Sequence, residues 1–247
     1  MIGLDLALAL DPSMIATMAN IVPDAWQRKL LCSTAPRVLL LCARQTGKTT
    51  TTALVAIATA MTVAGALVLI VSPSQRQSAE MFRTAMTLYK RIQSAPEIVQ
   101  ESVLKAELKN GSRIVALPGN EATVRGYAGA TLILIDEASR VPDELLTAVR
   151  PMLATSNGRL IALTTPAGKR GWFYDAWVGT ENWERVRVTA KECPRISQAF
   201  LDEELKALGP LRFSAEFDLE FLDNTDAVFG LEAIDKMFSA EVAPLCL

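Results

Sequence analysis

The fold of this chain is decided by the stretch Val38-Leu39-Leu40-Leu41-Cys42-Ala43-Arg44-Gln45-Thr46-Gly47-Lys48-Thr49-Thr50. Its apolar first part predicts a buried strand, which runs into a Gly-Lys-Thr turn and then a helix-forming segment. This layout is typical of a phosphate-binding loop, in which backbone N–H groups of a tight turn and a helix N-terminus converge on a polyphosphate. In such a loop Lys48 would neutralise phosphate charge and the Thr49 hydroxyl would bind Mg²⁺.

The loop departs from the full pattern at one position. Cys42 stands where the first glycine of a phosphate-binding loop is usual. Because Gly-Lys-Thr alone also occurs by chance, a nucleotide site needs further support from the rest of the chain.

The composition limits the classes of protein to which the chain can belong. With 247 residues, 50% of them hydrophobic, it can build one large core or a core and a small subdomain. The formal net charge is −2, so any DNA contact must come from a local basic patch or from several subunits together. The 4 cysteines show no C-x-x-C spacing and the chain has no histidine, which argues against a zinc site.

One uncharged run, Leu54 to Val71, is long enough to be considered a membrane span. Gly65 divides it into an Ala/Thr-rich half and a β-branched half, which favours a buried helix followed by a buried parallel strand. A membrane helix is the alternative. The first ten residues lack a basic region, so no signal peptide is expected.

Strand and helix patterns alternate along the chain, which predicts an α/β fold with a mainly parallel sheet flanked by helices. An Asn110-Gly111 turn between two alternating segments predicts a β-hairpin. From Ser197 onward the pattern becomes helical and charged, so we predict a P-loop core at 1–192 and a small helical lid subdomain at 193–247. The predicted strands are Arg37 to Cys42, Leu67 to Val71, Val103 to Leu108, Arg113 to Leu117, Thr131 to Ile135, Arg159 to Leu163 and Trp183 to Val188.

A second motif lies at the end of another predicted strand. Four apolar residues run into Asp136-Glu137, and the carboxyl ends of parallel strands are where ligands bind. Asp136 would hold Mg²⁺, and Glu137 would polarise the attacking water of a nucleoside triphosphatase. The alternative is an ordinary helix N-cap with an acidic first turn.

Several segments resemble the large terminase subunits of tailed bacteriophages, which pump DNA into preformed heads. The segment Pro23-Asp24-Ala25-Trp26-Gln27 is similar to the adenine-binding segment of that family, and Ala43 to Thr49 to its variant phosphate loop. In that variant the first glycine is commonly missing, so Cys42 supports the resemblance. The segments Thr123 to Gly129, Leu132 to Glu137 and Thr164-Thr165-Pro166 also match the family arrangement, and the resemblance extends from about Pro23 to Gly230.

The resemblance implies an ASCE-type P-loop ATPase that hydrolyses ATP with Mg²⁺. Glu137, Arg125, Arg44 and Lys48 would be catalytic, with Arg125 acting as an arginine finger in a neighbouring subunit's site. Thr49 and Asp136 would bind the metal. The nucleotide-binding residues would be Trp26, Gln27, Arg44, Gln45, Thr46, Gly47, Lys48, Thr49, Thr50, Thr164 and Thr165.

Several of these predicted site residues also have a simpler, structural interpretation. Arg125 could be a surface arginine in a flexible glycine-rich loop, and Arg44 could form a structural salt bridge. Gln27 could cap a helix or pack on Trp26. The hydroxyls of Thr164-Thr165 could satisfy the strand end rather than sense the γ-phosphate.

The family resemblance also implies partners: double-stranded DNA, a portal protein, a small terminase subunit and copies of this chain in a ring, with a monomer when isolated. The location would be the cytoplasm of the infected bacterial host, not a membrane and not outside the cell. The basic residues that could contact DNA are Arg76, Arg83, Lys90, Arg91, Lys169 and Arg170. A solvated charged face is the alternative for them.

The chain ends at Leu247, soon after a stretch (Phe217 to Phe229) similar to the one that leads into the family's nuclease domain. We therefore expect an ATPase domain without nuclease activity. A helicase-like DNA translocase and a nucleotide-binding regulatory module without turnover remain open as alternatives.

Overall fold

The apolar strands predicted from the sequence lie at the centre of the molecule. The computed structural model describes residues 7–222, in which eight strands form one sheet with the order β3-β4-β5-β2-β6-β7-β1-β8. The strands are β1 (Arg37–Cys42), β2 (Leu67–Ser72), β3 (Ile98–Glu101), β4 (Lys105–Leu108), β5 (Arg113–Pro118), β6 (Leu132–Asp136), β7 (Arg159–Thr164) and β8 (Glu184–Val188).

The sheet is parallel from β5 to β8 and antiparallel at its other edge. This confirms the predicted α/β fold with a mainly parallel sheet, and the antiparallel pairing of β4 with β5 confirms the hairpin. Strand β3 was not predicted. It has four residues, three of them exposed, so it carries no alternation of apolar and polar residues that a sequence pattern could reveal.

Helices precede, connect and follow the strands, and eight of them have both ends within the described residues. They are α1 (Met14–Met18), α2 (Ala25–Cys32), α3 (Lys48–Thr62), α4 (Gln75–Tyr89), α5 (Glu121–Val124), α6 (Asp143–Val149), α7 (Gly171–Val178) and α8 (Gln198–Glu216), with short 3₁₀ turns at Ala138–Arg140, Arg150–Leu153 and Ala190–Glu192. The sequence after β2 predicts a helix that runs to about Gln93. Helix α4 ends earlier, at Tyr89, because the chain tightens into a turn that brings Ile92 into the core.

Two hydrophobic cores cover the two faces of the sheet, as the alternation of a strand requires. In β1, Val38, Leu40 and Cys42 face the core formed with α1 to α4, whereas Leu39 and Leu41 face the core formed with α5 to α8. The central strands β1, β2, β6 and β7 are therefore buried on both sides, which explains why their sequences are continuous apolar runs.

The uncharged run from Leu54 to Val71 forms part of α3, a turn and then β2. Both elements are buried in the cores, so the prediction of a buried helix followed by a buried strand is confirmed. Among residues 7–222, no helix combines the length and the apolar character needed to cross a bilayer.

Helix α8 belongs to the segment predicted to form a lid. Its Leu201 and Phe213 are buried in the core with α5 to α7, and it is kinked at Gly209, whose φ is 74°, followed by Pro210. The boundary between a P-loop core and a lid at residue 193 stays a prediction, and residues 223–247 of that segment lie outside the described residues.

Gly158 lies directly before β7 and provides a test of how closely the chain packs there against the residues before β6. A Cβ at this position would lie 2.1 Å from the Ala130 carbonyl oxygen and 2.7 Å from Leu153 Cδ2. We expect Gly158→Ala to lower the free energy of unfolding by about 3 kcal/mol, measured by urea denaturation, because backbone must shift to make room. Gly126→Ala is the matched control, since no atom lies within 4 Å of its Cβ position. Equal stability of the two variants would contradict this packing.

The cysteines provide a test of the burial of β1. Cys32 is exposed, whereas Cys42 and Cys193 are buried. Burial raises the pKa of Cys42 to about 12, so at pH 8 its thiolate fraction is on the order of 10⁻⁴. We expect iodoacetamide to modify Cys32 in the native protein and Cys42 only after denaturation, as read by peptide mass spectrometry. If iodoacetamide modified Cys42 in the native protein as fast as Cys32, strand β1 would not be buried.

Candidate functional site

The sheet order brings the two sequence motifs to the same edge. Strand β7 lies between β1, which leads into the phosphate-loop sequence, and β6, which ends on Asp136. All three strands run in parallel, so their carboxyl ends open onto one cleft of about 530 Å³. Its lining consists of Arg44, Gln45, Gly47, Lys48, Thr49, Thr50, Gln77, Glu137, Arg140 and Thr165.

The phosphate-loop sequence forms a tight turn before α3. Gln45 (φ 62°) and Gly47 (φ 90°) adopt left-handed conformations, and Gly47 directly precedes the first residue of the helix. The Thr46 side chain is buried and donates to the Ala43 carbonyl at 2.9 Å, which closes the turn from within. Such a turn at a helix N-terminus leaves backbone N–H groups without helical partners, which is the requirement for an anion site.

Lys48 and Glu137 form an ion pair across the cleft. The distance from Lys48 Nζ to Glu137 Oε1 is 2.6 Å, and the two side chains are 15% and 16% exposed. Glu137 has φ 49° and begins the 3₁₀ turn after β6, yet its carboxylate makes no capping hydrogen bond. Its other oxygen, Oε2, is buried and has no hydrogen-bond partner among residues 7–222. The carboxylate therefore faces the phosphate loop and keeps one acceptor unused.

Asp136 lies at the end of β6 on the same side of the sheet as α3. It is 8% exposed, and its Oδ1 accepts the Glu137 N–H at 3.0 Å. Burial raises the pKa of Asp136 to about 6, against the opposing effect of the nearby Lys48 charge. A buried carboxylate that is costly to ionise is a group that a bound cation would stabilise.

The threonines predicted for the site fall into two groups. Thr49, Thr50 and Thr165 line the cleft. Thr164 is fully buried at the end of β7, where its hydroxyl donates to the Thr165 carbonyl at 2.8 Å and accepts the Ser139 N–H at 3.4 Å. Thr164 thus joins the end of β7 to the turn that follows Glu137, and its hydroxyl satisfies the strand end.

The predicted base-binding segment begins α2, beside the phosphate loop. Gln27 is buried; its Oε1 accepts the Asp24 N–H at 2.8 Å and its Nε2 donates to Thr51 Oγ1 at 2.8 Å. Gln27 therefore caps α2 and also contacts α3. Trp26 is half-buried against the core, and its indole Nε1 is buried without a hydrogen-bond partner among residues 7–222.

Arg44 reaches away from the phosphate loop towards α8. Its Nε lies 2.5 Å from Glu216 Oε2 and its Nη2 lies 3.0 Å from Glu216 Oε1, so the pair is bidentate. The hydrogen bond that Arg44 donates to the Glu216 carboxylate raises the pKa of Arg44, and Arg44 also lines the cleft. In this conformation Arg44 forms the salt bridge that was one of its two interpretations.

Arg125 is not among the residues that line the cleft in the described part of the chain. It follows α5, which is connected to the end of β5, and it is exposed. Strands β2, β6 and β7 separate β5 from β1, so the two strands are about 19 Å apart at the usual strand spacing.

Four functional candidates were missed by sequence reasoning. Gln77 and Arg140 line the cleft, from the first turn of α4 and the 3₁₀ turn after β6. Glu216 binds Arg44, and Arg195 binds the phosphate loop. Position relative to a known motif could have indicated Arg140, three residues after Glu137. No local pattern marks Glu216 or Arg195, because their partners are distant in sequence.

The basic residues proposed for DNA contact are all exposed, on α4, in the turn directly after α4, and after β7. Arg83 lies 2.8 Å from Glu80 and Lys90 lies 2.8 Å from Glu101, so two of them are already paired with carboxylates. Their pairing agrees with the alternative of a solvated charged face. Lys169 and Arg170 follow the segment Thr164-Thr165-Pro166.

Comparison with known proteins places these features in a family. A family model described as terminase large subunit, T4-like-virus type, N-terminal, matches residues 39–236. The probable terminase large subunit of Enterobacteria phage P7 is 28% identical over 143 residues, which span 53% of this chain and 29% of that protein.

Solved structures show the same fold. The large terminase ATPase domain of Thermus phage P74-26 superposes with a TM-score of 0.72 at 19% identity, covering 83% of this chain and 96% of that one. The large terminase of bacteriophage HK97 gives a TM-score of 0.64 at 16% identity, covering 81% of this chain and 50% of that one. With the family match over most of its length, the chain belongs to the large terminase subunits of the T4-like-virus type, of which it carries the N-terminal region.

Proposed function

We propose that this chain is the ATPase motor domain of a terminase, which hydrolyses ATP with Mg²⁺ to translocate double-stranded DNA into a procapsid. The observation that carries the proposal is the Lys48–Glu137 ion pair in the cleft, at 2.6 Å. It joins the residue that would bind phosphate to the residue that would activate water. Membership of the terminase family and the fold shared with ATPase domains support the same function.

Nucleotide binding would rearrange this ion pair. The β- and γ-phosphates, seated on the turn from Gln45 to Thr50, would compete with Glu137 for the Lys48 ammonium. Once released, Glu137 would be free to accept a hydrogen bond from the attacking water, and its unused Oε2 leaves the carboxylate with acceptor capacity for that bond. The pair would thus hold the empty site in an inactive arrangement.

The residues present fit a magnesium ion. Asp136 offers a buried carboxylate and Thr49 a hydroxyl in the first turn of α3, and Mg²⁺ prefers such oxygen ligands together with phosphates. Asp136 would hold the ion from the sheet side and Thr49 from the helix side. When bound, the ion would neutralise charge that develops on the transferred phosphate.

Base recognition would come from Trp26 and Gln27. The amide of Gln27 uses one N–H and one lone pair for Thr51 and Asp24, so one of each remains for the edge of an adenine. The Trp26 indole offers an unused N–H in the same turn.

Arg44 and Thr165 would connect the γ-phosphate to the helical part of the chain. Arg44 lines the cleft while it holds Glu216 of α8, so a phosphate that attracts Arg44 would weaken its bond to α8. Thr165 lines the cleft next to Thr164, which is bonded to the turn after Glu137. Loss of the γ-phosphate would then change the position of α8, which is the movement that a motor needs.

Completion of the site would require a second copy of the chain. Arg125 is exposed and is not among the residues of 7–222 that line the cleft, which suits an arginine finger offered to a neighbour better than one that acts in its own site. A ring of copies assembled with a portal protein and a small terminase subunit in the host cytoplasm would supply that neighbour. DNA would contact basic residues such as Arg76, Arg91 and Lys169 that the ring presents together.

Replacing Glu137 separates ATP binding from hydrolysis. We expect Glu137→Gln to bind ATP but to lower the rate of hydrolysis by about 10²–10⁴-fold, because the amide cannot accept the proton of the water. Filter binding and single-turnover hydrolysis of labelled ATP measure the two quantities. Glu144→Gln, on the exposed side of α6, is the control. Hydrolysis by Glu137→Gln at the wild-type rate would show that this carboxylate is not the base.

Arg125 can be tested by mixing two inactive variants. If it acts on a neighbouring subunit, Arg125→Ala lowers hydrolysis by about 10³-fold, and mixing it with Glu137→Gln restores activity in sites that combine one intact residue from each. Wild-type activity per subunit should also rise with protein concentration or on assembly with a portal. Activity that is independent of concentration and lost in Arg125→Ala, with no recovery on mixing, would mean that Arg125 acts within its own chain.

A further inference from the structure

Arg195 joins three parts of the molecule that are distant in sequence. It lies between the 3₁₀ turn at Ala190–Glu192 and the start of α8. Its Nη1 donates to Asp24 Oδ1 at 2.8 Å, and its Nη2 donates to the backbone carbonyl of Thr46 at 2.9 Å. One guanidinium therefore ties the segment before α8 both to the start of α2 and to the phosphate loop.

The bond to Thr46 acts on a peptide group that matters for anion binding. The peptide bond between Thr46 and Gly47 is trans, so its C=O and N–H point in opposite directions. With the carbonyl held by Arg195, the N–H of Gly47 points away from the guanidinium, and Gly47 itself lines the cleft. Arg195 thus fixes the orientation of one of the backbone donors that would receive a phosphate.

Gly47 has little free space on the side that faces Gln27 and Arg195. A Cβ at Gly47 would lie 3.0 Å from Gln27 Nε2 and 3.3 Å from Arg195 Nη2. The left-handed φ of 90° and these two neighbours together hold the loop in one conformation. The Gln27 amide and the Arg195 guanidinium therefore support the same residue from outside the cleft.

The bond to Asp24 extends the effect to the first turn of α2 (the base-binding turn), which carries the predicted base-binding residues Trp26 and Gln27. The Asp24 side chain is 13% exposed, and its backbone N–H donates to Gln27. Through Asp24, Arg195 holds the start of α2 and hence Gln27 against α3. One side chain that belongs to neither segment thus fixes the position of the phosphate loop relative to the base-binding turn.

We propose that Arg195 is a positioning residue for the nucleotide, which preorganises the phosphate loop and the base-binding turn and links both to the start of α8. This inference rests on the proposed function, since it assumes that the cleft binds a nucleotide. Arg195 does not line the cleft, so it acts through Thr46 and Asp24 and not on the phosphates themselves.

An exposed ion pair by itself would have little effect, and the molecule offers one for comparison. Arg150 and Glu181 are separated by 3.5 Å, with side chains 54% and 57% exposed, and pairs of this kind contribute little to stability. Arg195 is 49% exposed but has a shorter bond to a mostly buried carboxylate and a second bond to the phosphate loop. Arg150→Ala is therefore a matched control for Arg195→Ala.

The test measures ADP binding and backbone protection in the full chain. By calorimetry, we expect Arg195→Ala to raise the Kd for ADP about tenfold, the effect of losing one charge-assisted hydrogen bond of ordinary strength. Amide exchange at Gly47 and Lys48 without nucleotide should become faster, because the loop is no longer held. Arg195→Lys keeps the charge but can reach only one partner well, so its Kd should be intermediate. Arg150→Ala should match the wild type in both measurements.

The outcomes separate the two proposals. An unchanged Kd and unchanged exchange in Arg195→Ala, with wild-type ADP binding intact, would overturn the inference and leave the proposed function standing. Failure of the wild-type chain to bind ADP would overturn the proposed function and the inference with it. If Arg195→Ala does not fold, Arg195→Lys decides: wild-type affinity and exchange in that variant would overturn the role of the double contact.

Discussion

The ion pair between Lys48 and Glu137 is the interaction on which the rest of the site depends. Lys48 begins the helix after β1, and Glu137 follows β6; the two strands are separated in the sheet by β7. The distance from Lys48 Nζ to Glu137 Oε1 is 2.6 Å. Both side chains are mostly buried, so each charge needs the other or a ligand to offset its loss of solvation. In the proposed function a polyphosphate would take the place of the carboxylate beside Lys48, and the pair would then act as a switch between the empty and the occupied site.

The sheet order explains why this pair can form at all. Because β7 lies between β1 and β6, these two strands are about 10 Å apart, a separation that the side chains of a lysine and a glutamate can bridge. The intervening strand ends on the buried Thr164, and Thr165 after it lines the cleft. Arg125 follows α5, and the cleft lining in residues 7–222 does not include it. Lys48, Glu137 and Thr165 therefore meet at one cleft of the chain, whereas the role of Arg125 in a neighbouring site stays a proposal.

Contacts with the segment before and within α8 give the cleft a second layer of support. Arg44 is held by Glu216 from the end of α8, and Thr46 is held by Arg195 from the segment before α8. Both contacts reach the same short loop from opposite ends of one helix. A bound anion would act on both contacts directly, because the groups that join the loop to the α8 segment are charged.

The sequence by itself determined the central strands, the position of the phosphate-loop motif and the resemblance to a family. Strands buried on both faces must be continuous apolar runs, and a Gly-Lys-Thr turn after such a run has few other uses, so local pattern was sufficient for β1, β2, β6, β7 and α3. It could not reveal β3, which is short and mostly exposed. Nor could it decide between the two interpretations of Gln27 or of Arg44, because each residue type suits both. Only the tertiary structure placed Glu216 beside Arg44 and Arg195 beside Thr46, since these pairs span more than a hundred residues and depend on how α8 packs across the sheet.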